Sequence, residues 1–140
     1  MEVYRSFRIG EAASRMAIST SKLKVMFDSG EIEGSKINSH RRIPDWQVRR
    51  FIRENGLPES FFDRPPKRWE ILTVKNVADL MSCSITTVRG LMDRGRLRGW
   101  RLGRDRRFYI HDVAVYFRKA KLDAAEANLC VWVRESRDGR

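Results

Sequence analysis

Eight arginines fall within the nineteen residues from Arg89 to Arg107, opposed there only by Asp93 and Asp105. Guanidinium groups at that density favour a polyanion, because each can donate two parallel hydrogen bonds to a phosphate or to a guanine edge. A sparser basic set, Lys22, Lys24, Lys36, His40, Arg41 and Arg42, stands in the first half. The 140-residue chain holds 29 Lys and Arg against 18 Asp and Glu, a formal net charge of +11. The excess is uneven: residues 1–65 carry 12 basic and 9 acidic side chains, residues 66–140 carry 17 and 9. So short and basic a chain points to nucleic acid before membrane, with the second half carrying more of the electrostatic affinity.

Other chemistries lack their residues. His40 and His111 show no metal-ligand spacing with each other or with Cys83 and Cys130. No paired carboxylates, nucleophile–base set or phosphate-cradling glycine loop stands at a recognisable spacing. The expectation is a protein that is not an enzyme, with no metal, no cofactor and no small-molecule ligand. Two cysteines are too few for a disulfide framework. The longest apolar runs, Val113 to Phe117 and Leu129 to Val133, fall far short of the roughly 20 residues a membrane helix needs. The first residues, Met-Glu-Val-Tyr-Arg-Ser, lack the apolar core of a signal peptide, so a cytoplasmic, nucleoid-associated chain is expected.

The elements that must position the basic residues come in two copies. Sliding the chain by 65 residues aligns 7–53 with 72–118 without a gap, and ten of 47 positions are identical where chance gives roughly three. The pairs include Ala13/Ala78, Met16/Met81, Ser19/Ser84, Asp28/Asp93, Gly34/Gly99, Arg41/Arg106 and Arg42/Arg107. Each copy opens on one helical face, Ile9, Ala12, Ala13, Met16 and Val74, Val77, Ala78, Met81. Ser19 and Ser84 then cap a second helix, whose inner residues are Leu23, Met26, Phe27 and Val88, Leu91, Met92. Gly30 and Gly95 end it, since glycine accepts the left-handed conformation that closes a helix. The period then changes to two short strands around a polar tip, with Gly103 the clearer turn signal. A third helix buries Val48, Phe51, Ile52 or Val113, Tyr116, Phe117. The predicted fold is mainly α with small β-wings: helix, turn, helix, two-stranded wing, third helix, twice.

This divides the chain into module 1 (1–56), a connector rich in Pro and aromatics (57–70), module 2 (71–121) and a C-terminal tail (122–140). Phe61, Phe62 and Trp69 in the connector are expected to pack against one or both modules. In the tail, Ala124–Asn128 reads as a helical turn and Leu129–Val133 as a strand that pairs with a wing, covers a module, joins two chains or meets a protein partner.

Glu11-Ala12-Ala13, Ser19 to Lys24, Gly30, Gly34 and His40-Arg41-Arg42-Ile43-Pro44 resemble the winged helix–turn–helix of MerR and phage excisionase proteins, closest in layout to the BldC-like and excisionase-type single modules. Val77-Ala78, Thr86-Thr87-Val88-Arg89, Gly95, Gly99 and Arg106-Arg107-Phe108 are similar. The resemblance implies duplex-DNA binding, with the second helix in the major groove and the wing on backbone or minor groove. It departs at Asn76, which stands where Glu11 stands, at Gly90 inside the second copy's recognition helix, and in a tail too short for the MerR dimerisation coil.

Recognition helices read base edges near their N-termini. The candidates are Thr20, Ser21, Lys22 and Lys24 in the first copy, and Thr86, Thr87 and Arg89 in the second, with Val25, Ile85 and Gly90 also turned outward. Arg89 suits guanine O6 and N7, and Lys24 is its weaker equivalent. The threonines and Ser21 suit a phosphate or a thymine methyl. Ser19 and Ser84 are helix caps beside free backbone N–H groups that suit a phosphate. The wing candidates are Lys36, His40, Arg41, Arg42, Arg101, Arg104, Arg106 and Arg107. Arg104 is aimed at a narrow minor groove, while Arg41 and Arg106 have the alternative of a carboxylate inside their own module. The expected function is sequence-specific transcriptional regulation through two half-sites. An excisionase-like DNA-bending factor and a protein-interaction adaptor with one DNA-binding module are the alternatives.

Overall fold

The structure is a computed structural model in which residues 5–139 are described. Residues 1–4 of the expected first module lie outside the described residues. The chain divides into two compact units, Met1–Lys67 and Arg68–Arg140. The first contains β1 (Ser6–Arg8), α1 (Ile9–Met16), α2 (Thr20–Asp28), β2 (Ser35–Ile37), β3 (His40–Pro44) and α3 (Asp45–Glu54). The second contains β4 (Ile71–Thr73), α4 (Val74–Met81), α5 (Ile85–Asp93), β5 (Trp100–Leu102), β6 (Asp105–Tyr109), α6 (Ile110–Lys119) and α7 (Asp123–Gly139).

From β1 to α3, each strand and α-helix of the first unit begins and ends 65 residues before its counterpart in the second, whereas the short 3-10 helix Glu59–Phe61 has none. The backbone repeats at the level of single torsions. Ala17, Gly30, Asn38 and Gly56 have positive φ, and so do Ser82, Gly95, Gly103 and Lys121, each 65 residues on. Two of these end the first helix of each unit in a left-handed turn, leaving only Ala17–Ser19 or Ser82–Ser84 between the helices. Asn76 proves to be a conservative departure. The Arg8 amide donates to Glu11 Oε1 at 3.0 Å, and the Thr73 amide donates to Asn76 Oδ1 at 2.9 Å, so both side chains close the start of their helix.

The expected two-stranded wing is part of a three-stranded antiparallel sheet in each unit, ordered β1-β3-β2 and β4-β6-β5. The added strand is three residues long, too short to show alternation, and it forms because it lies beside the long wing strand just before α1 or α4 begins. Its central residue closes the core: Phe7 pairs with Ile43, and Leu72 with Phe108, all four buried. Gly34 and Gly99 sit where the chain enters the wing. A Cβ on Gly34 would lie 2.5 Å from the Arg42 carbonyl oxygen, and one on Gly99 2.7 Å from that of Arg107. Only glycine lets the two wing strands come together there.

The aromatics after α3 are core, not spacer. Phe61 and Phe62 are buried in the first unit, with Phe62 edge-on to Phe7 at 5.6 Å and under the Arg49 guanidinium at 3.6 Å. The Phe62 carbonyl accepts Arg15 Nε at 2.9 Å. Trp69 belongs to the second unit, where its carbonyl accepts Trp132 Nε1 at 3.3 Å.

The tail differs from expectation. Leu129–Val133 is helical, inside α7, not a strand. Ala125 and Leu129 are buried and Cys130 and Val131 exposed, the periodicity of a helix with one face on α4 and α6. Asn128 Nδ2 donates to the Leu80 carbonyl at 3.0 Å and fixes α7 on the end of α4. Among the described residues no helix is long and apolar enough to cross a membrane.

Candidate nucleic-acid interface

Both second helices are built alike. The Ser19 hydroxyl accepts the Lys22 amide at 3.1 Å, and Ser84 accepts the Thr87 amide at 3.1 Å. Ser84 Oγ and Thr87 Oγ1 also share a hydrogen bond of 2.9 Å. Ser19 and Ser84 thus spend their side chains on capping. Leu23 and Met26, or Val88 and Leu91, are buried, which turns the remaining positions to solvent. Thr20, Ser21, Lys22 and Lys24 are exposed on α2, and Thr86, Thr87 and Arg89 on α5. None of Thr20, Ser21, Lys24, Thr86 or Arg89 has its side chain engaged in a hydrogen bond or ion pair among the described residues, so their donors stay available.

The wing residues divide into two groups. Arg41 donates from Nε to Asp28 Oδ1 at 3.1 Å and from Nη2 to Oδ2 at 2.9 Å. These bonds hold the Asp28 carboxyl below its ordinary range, with the Arg41, Lys36 and Lys24 charges adding to the effect. Arg106 Nη2 donates to both oxygens of Asp93 at 3.1 Å, and Arg101 Nη2 joins at 3.3 Å. Arg106 keeps only 11% of its side chain exposed. Arg41 and Arg106 thus take the carboxylate inside their own module, each binding the last residue of the preceding helix. Arg42 is half-buried as well, donating to the Ser6 hydroxyl at 3.1 Å and carbonyl at 3.0 Å. Arg107 donates to the Arg106 carbonyl at 3.0 Å and lies 3.8 Å from Asp105.

Lys36, His40 and Arg104 remain exposed, and no hydrogen bond or ion pair engages their side chains among the described residues. The tips differ in shape. Asn38 and Ser39 both have positive φ, the signature of a type I′ turn, whereas at Gly103-Arg104 only Gly103 does, as in type II′. Arg104 occupies the second tip position and stands clear of the sheet.

Three features escaped the sequence reading. The first is the pairing partner of the wing, Asp28 or Asp93. Its signal was present, since Asp and Arg recur thirteen residues apart in both copies. The second is a charge reversal after the helix: Glu31 and Glu33 in the first unit stand where Arg96 and Arg98 stand in the second. That loop is held rigidly, with Ile32 or Leu97 buried and the Glu33 amide donating to the buried Gln47 Oε1 at 3.2 Å. The third is Arg94, whose Nη1 lies 2.8 Å from where a Cβ on Gly90 would be. The guanidinium therefore rests on the bare backbone of α5.

Residues 71–121 match the family model described as a helix-turn-helix domain. The match runs from the first residue of β4 past the end of α6 and leaves α7 outside. No curated protein and no solved structure matches the chain. The helix-turn-helix domain is a fold that sets one helix into the major groove of duplex DNA. Within it are 12 basic and 4 acidic side chains, so the segment that carries the match also carries most of the excess charge.

Proposed function

We propose that the chain is a sequence-specific duplex-DNA-binding protein that regulates transcription, with each unit a winged helix–turn–helix module of the MerR and excisionase type. One observation carries the reading. The matched domain presents a capped helix whose exposed N-terminal residues stand beside a dense basic set, and the first unit repeats that backbone element for element. In this reading Thr20, Ser21, Lys22 and Lys24, and Thr86, Thr87 and Arg89, face base edges. Lys36, His40, Arg42, Arg101, Arg104 and Arg107 face the sugar–phosphate backbone, and the N–H groups behind Ser19 and Ser84 donate to a phosphate each. Arg41 and Arg106 aim the wings. Two such modules in one chain do what paired subunits do elsewhere, reading two half-sites about 10 bp apart when both helices face one side of the duplex.

Selection of bound duplexes from a random pool, followed by salt titration of the best one, tests this. Two enriched motifs about one turn apart, with log affinity falling by about 0.9 per phosphate contact for each decade of salt, are expected. Tight, salt-labile binding without enrichment would replace the regulator with a DNA-bending factor. A single motif would confine base reading to one unit.

A further inference from the structure

Position 25 on α2 and position 90 on α5 occupy the same place in their units, on the side of the helix away from the buried Leu23 and Met26 or Val88 and Leu91. Their occupants are opposites. Val25 is 68% exposed, so its two methyl groups are presented to solvent. Gly90 has no side chain, and the Arg94 guanidinium fills the space, with Nη1 at 2.8 Å and Cζ and Nη2 at 3.5 Å from the missing Cβ. The residue four further on completes each pattern. Ser29, the counterpart of Arg94, turns back to donate to the Met26 carbonyl at 3.1 Å, so nothing lies over the Val25 methyls.

The two positions therefore vary together. Gly90 makes a seat for Arg94, and any larger residue at 90 would push the guanidinium off the helix. Ser29 is short enough to leave Val25 bare. A helical side chain leans towards the N-terminus of its helix, so Arg94 is carried back along α5 towards Arg89 and Thr86.

We infer that the pairs Val25/Ser29 and Gly90/Arg94 give the two helices opposite base preferences, α2 taking a thymine through its 5-methyl group and α5 taking a guanine through O6 and N7. This rests on the DNA-reading proposal above. The chemistry follows from the major-groove edges. Thymine alone offers a methyl group for an apolar side chain, and guanine alone offers two adjacent acceptors to a guanidinium fork. Arg89 and Arg94 then address two different guanines, while the first unit has two lysines, Lys22 and Lys24, and one apolar contact.

The test uses the full chain and its best selected duplex. Single thymines are replaced by deoxyuridine, which lacks only the methyl, and single guanines by 7-deazadeoxyguanosine, which lacks only the N7 acceptor. One thymine-to-uracil change should weaken the wild type about fourfold and have no effect on Val25→Ala. One 7-deazaguanine should weaken the wild type about fivefold or more and have no effect on Arg94→Ala, while remaining costly to Arg89→Ala. The double change Val25→Gly with Ser29→Arg, measured on a duplex carrying guanine in place of the thymine that Val25 meets, should exchange the first unit's uracil sensitivity for a deazaguanine sensitivity. The inference fails if no uracil substitution weakens the wild type, or if Arg94→Ala weakens all duplexes alike, which would make Arg94 a phosphate contact. Wild-type protein that enriches no duplex would remove the DNA-reading proposal itself, a separate result.

Discussion

Arg106 donates both its short bonds, 3.1 Å each, to the carboxylate of Asp93 thirteen residues earlier, and so ties the long strand of the wing to the last residue of α5. The counterpart pair joins Arg41 to Asp28 in the first unit, there through Nε and Nη2 on separate oxygens. The helix and the wing of each unit are thereby joined side chain to side chain. Asp93 also takes Arg101, which lies directly across the strand pair from Arg106. Two guanidinium groups on adjacent strands would repel each other without that shared carboxylate.

Asp93→Asn should therefore lower stability by about 1 kcal/mol in urea unfolding, because charge-assisted bonds to two arginines become neutral ones. Arg104→Ala should leave the unfolding curve unchanged, since its side chain touches nothing in the described residues. Its effect belongs to DNA: all sequences weaken alike and the salt slope falls by about one phosphate. A stability loss at Arg104 equal to that at Asp93 would contradict the division of the wing into fixed and free cations.

Arg89→Ala should cost about 1–3 kcal/mol on the preferred duplex and relax the preference at one base pair, measured by competition between matched and scrambled sites. Equal losses on both would place Arg89 on the backbone.

The glycines separate cleanly. Gly34→Ala and Gly99→Ala drive a Cβ into a backbone oxygen and should each destabilise by about 1–3 kcal/mol. Gly90→Ala meets only the movable end of Arg94, so the gain in helix propensity should prevail and raise stability by up to ~1 kcal/mol. Denaturation midpoints of the three variants decide this.

Two carboxyl groups should respond to pH in opposite senses. Asp28 is depressed below its unfolded value by Arg41, so the stability it contributes is present above the unfolded pKa and lost as pH falls through the lower folded value. Asp112 is raised, first by burial, against the opposing charges of Arg98 and His111. It binds a proton more tightly when folded, so its contribution declines as pH rises from the unfolded value through the folded one. Asp112→Gln, which installs the residue its counterpart Gln47 already is, should stabilise the protein at neutral pH and flatten that decline. Thermal midpoints between pH 3 and 7 read both effects.

Leu129→Ala should cost about 2–4 kcal/mol, as expected for a buried leucine, while Cys130→Ser on the exposed side should fall within about 0.5 kcal/mol of wild type. A strand would have reversed that order at one of the two positions' neighbours, Val131 included.

The three helices of each module were legible because each shows its apolar residues at helical spacing, and α2 and α5 also have a serine in front. The wings were legible from Gly99, Gly103 and the change of period. Ser6–Arg8 and Ile71–Thr73 were not, since three residues cannot display an alternation, and their pairing is decided by strands 35 residues away. Leu129–Val133 misled because five apolar residues in a row suit either period, and only the buried Ala125 and Ser136 on either side show which one applies. The exposed reading residues could be named from the inward set they oppose. What could not be read was which arginines are already engaged: Arg41 and Arg104 look alike in a sequence, and only the placement of Asp28 and Asp93 tells them apart.

The pairing of Phe7 with Ile43 and of Leu72 with Phe108 has a consequence for how a chain with two near-identical backbones avoids crossing them. The two short strands are equal in length, and so are the two long ones. Exchanging them would set Phe7 against Phe108, two rings in a space made for one, and Leu72 against Ile43, leaving a void where a ring belongs. The large residue lies on the short strand in one unit and on the long strand in the other, so each mismatched partner is penalised by its volume. Tandem copies are prone to misassembly during folding, and here a reciprocal exchange of one bulky side chain sorts the strands to their own units.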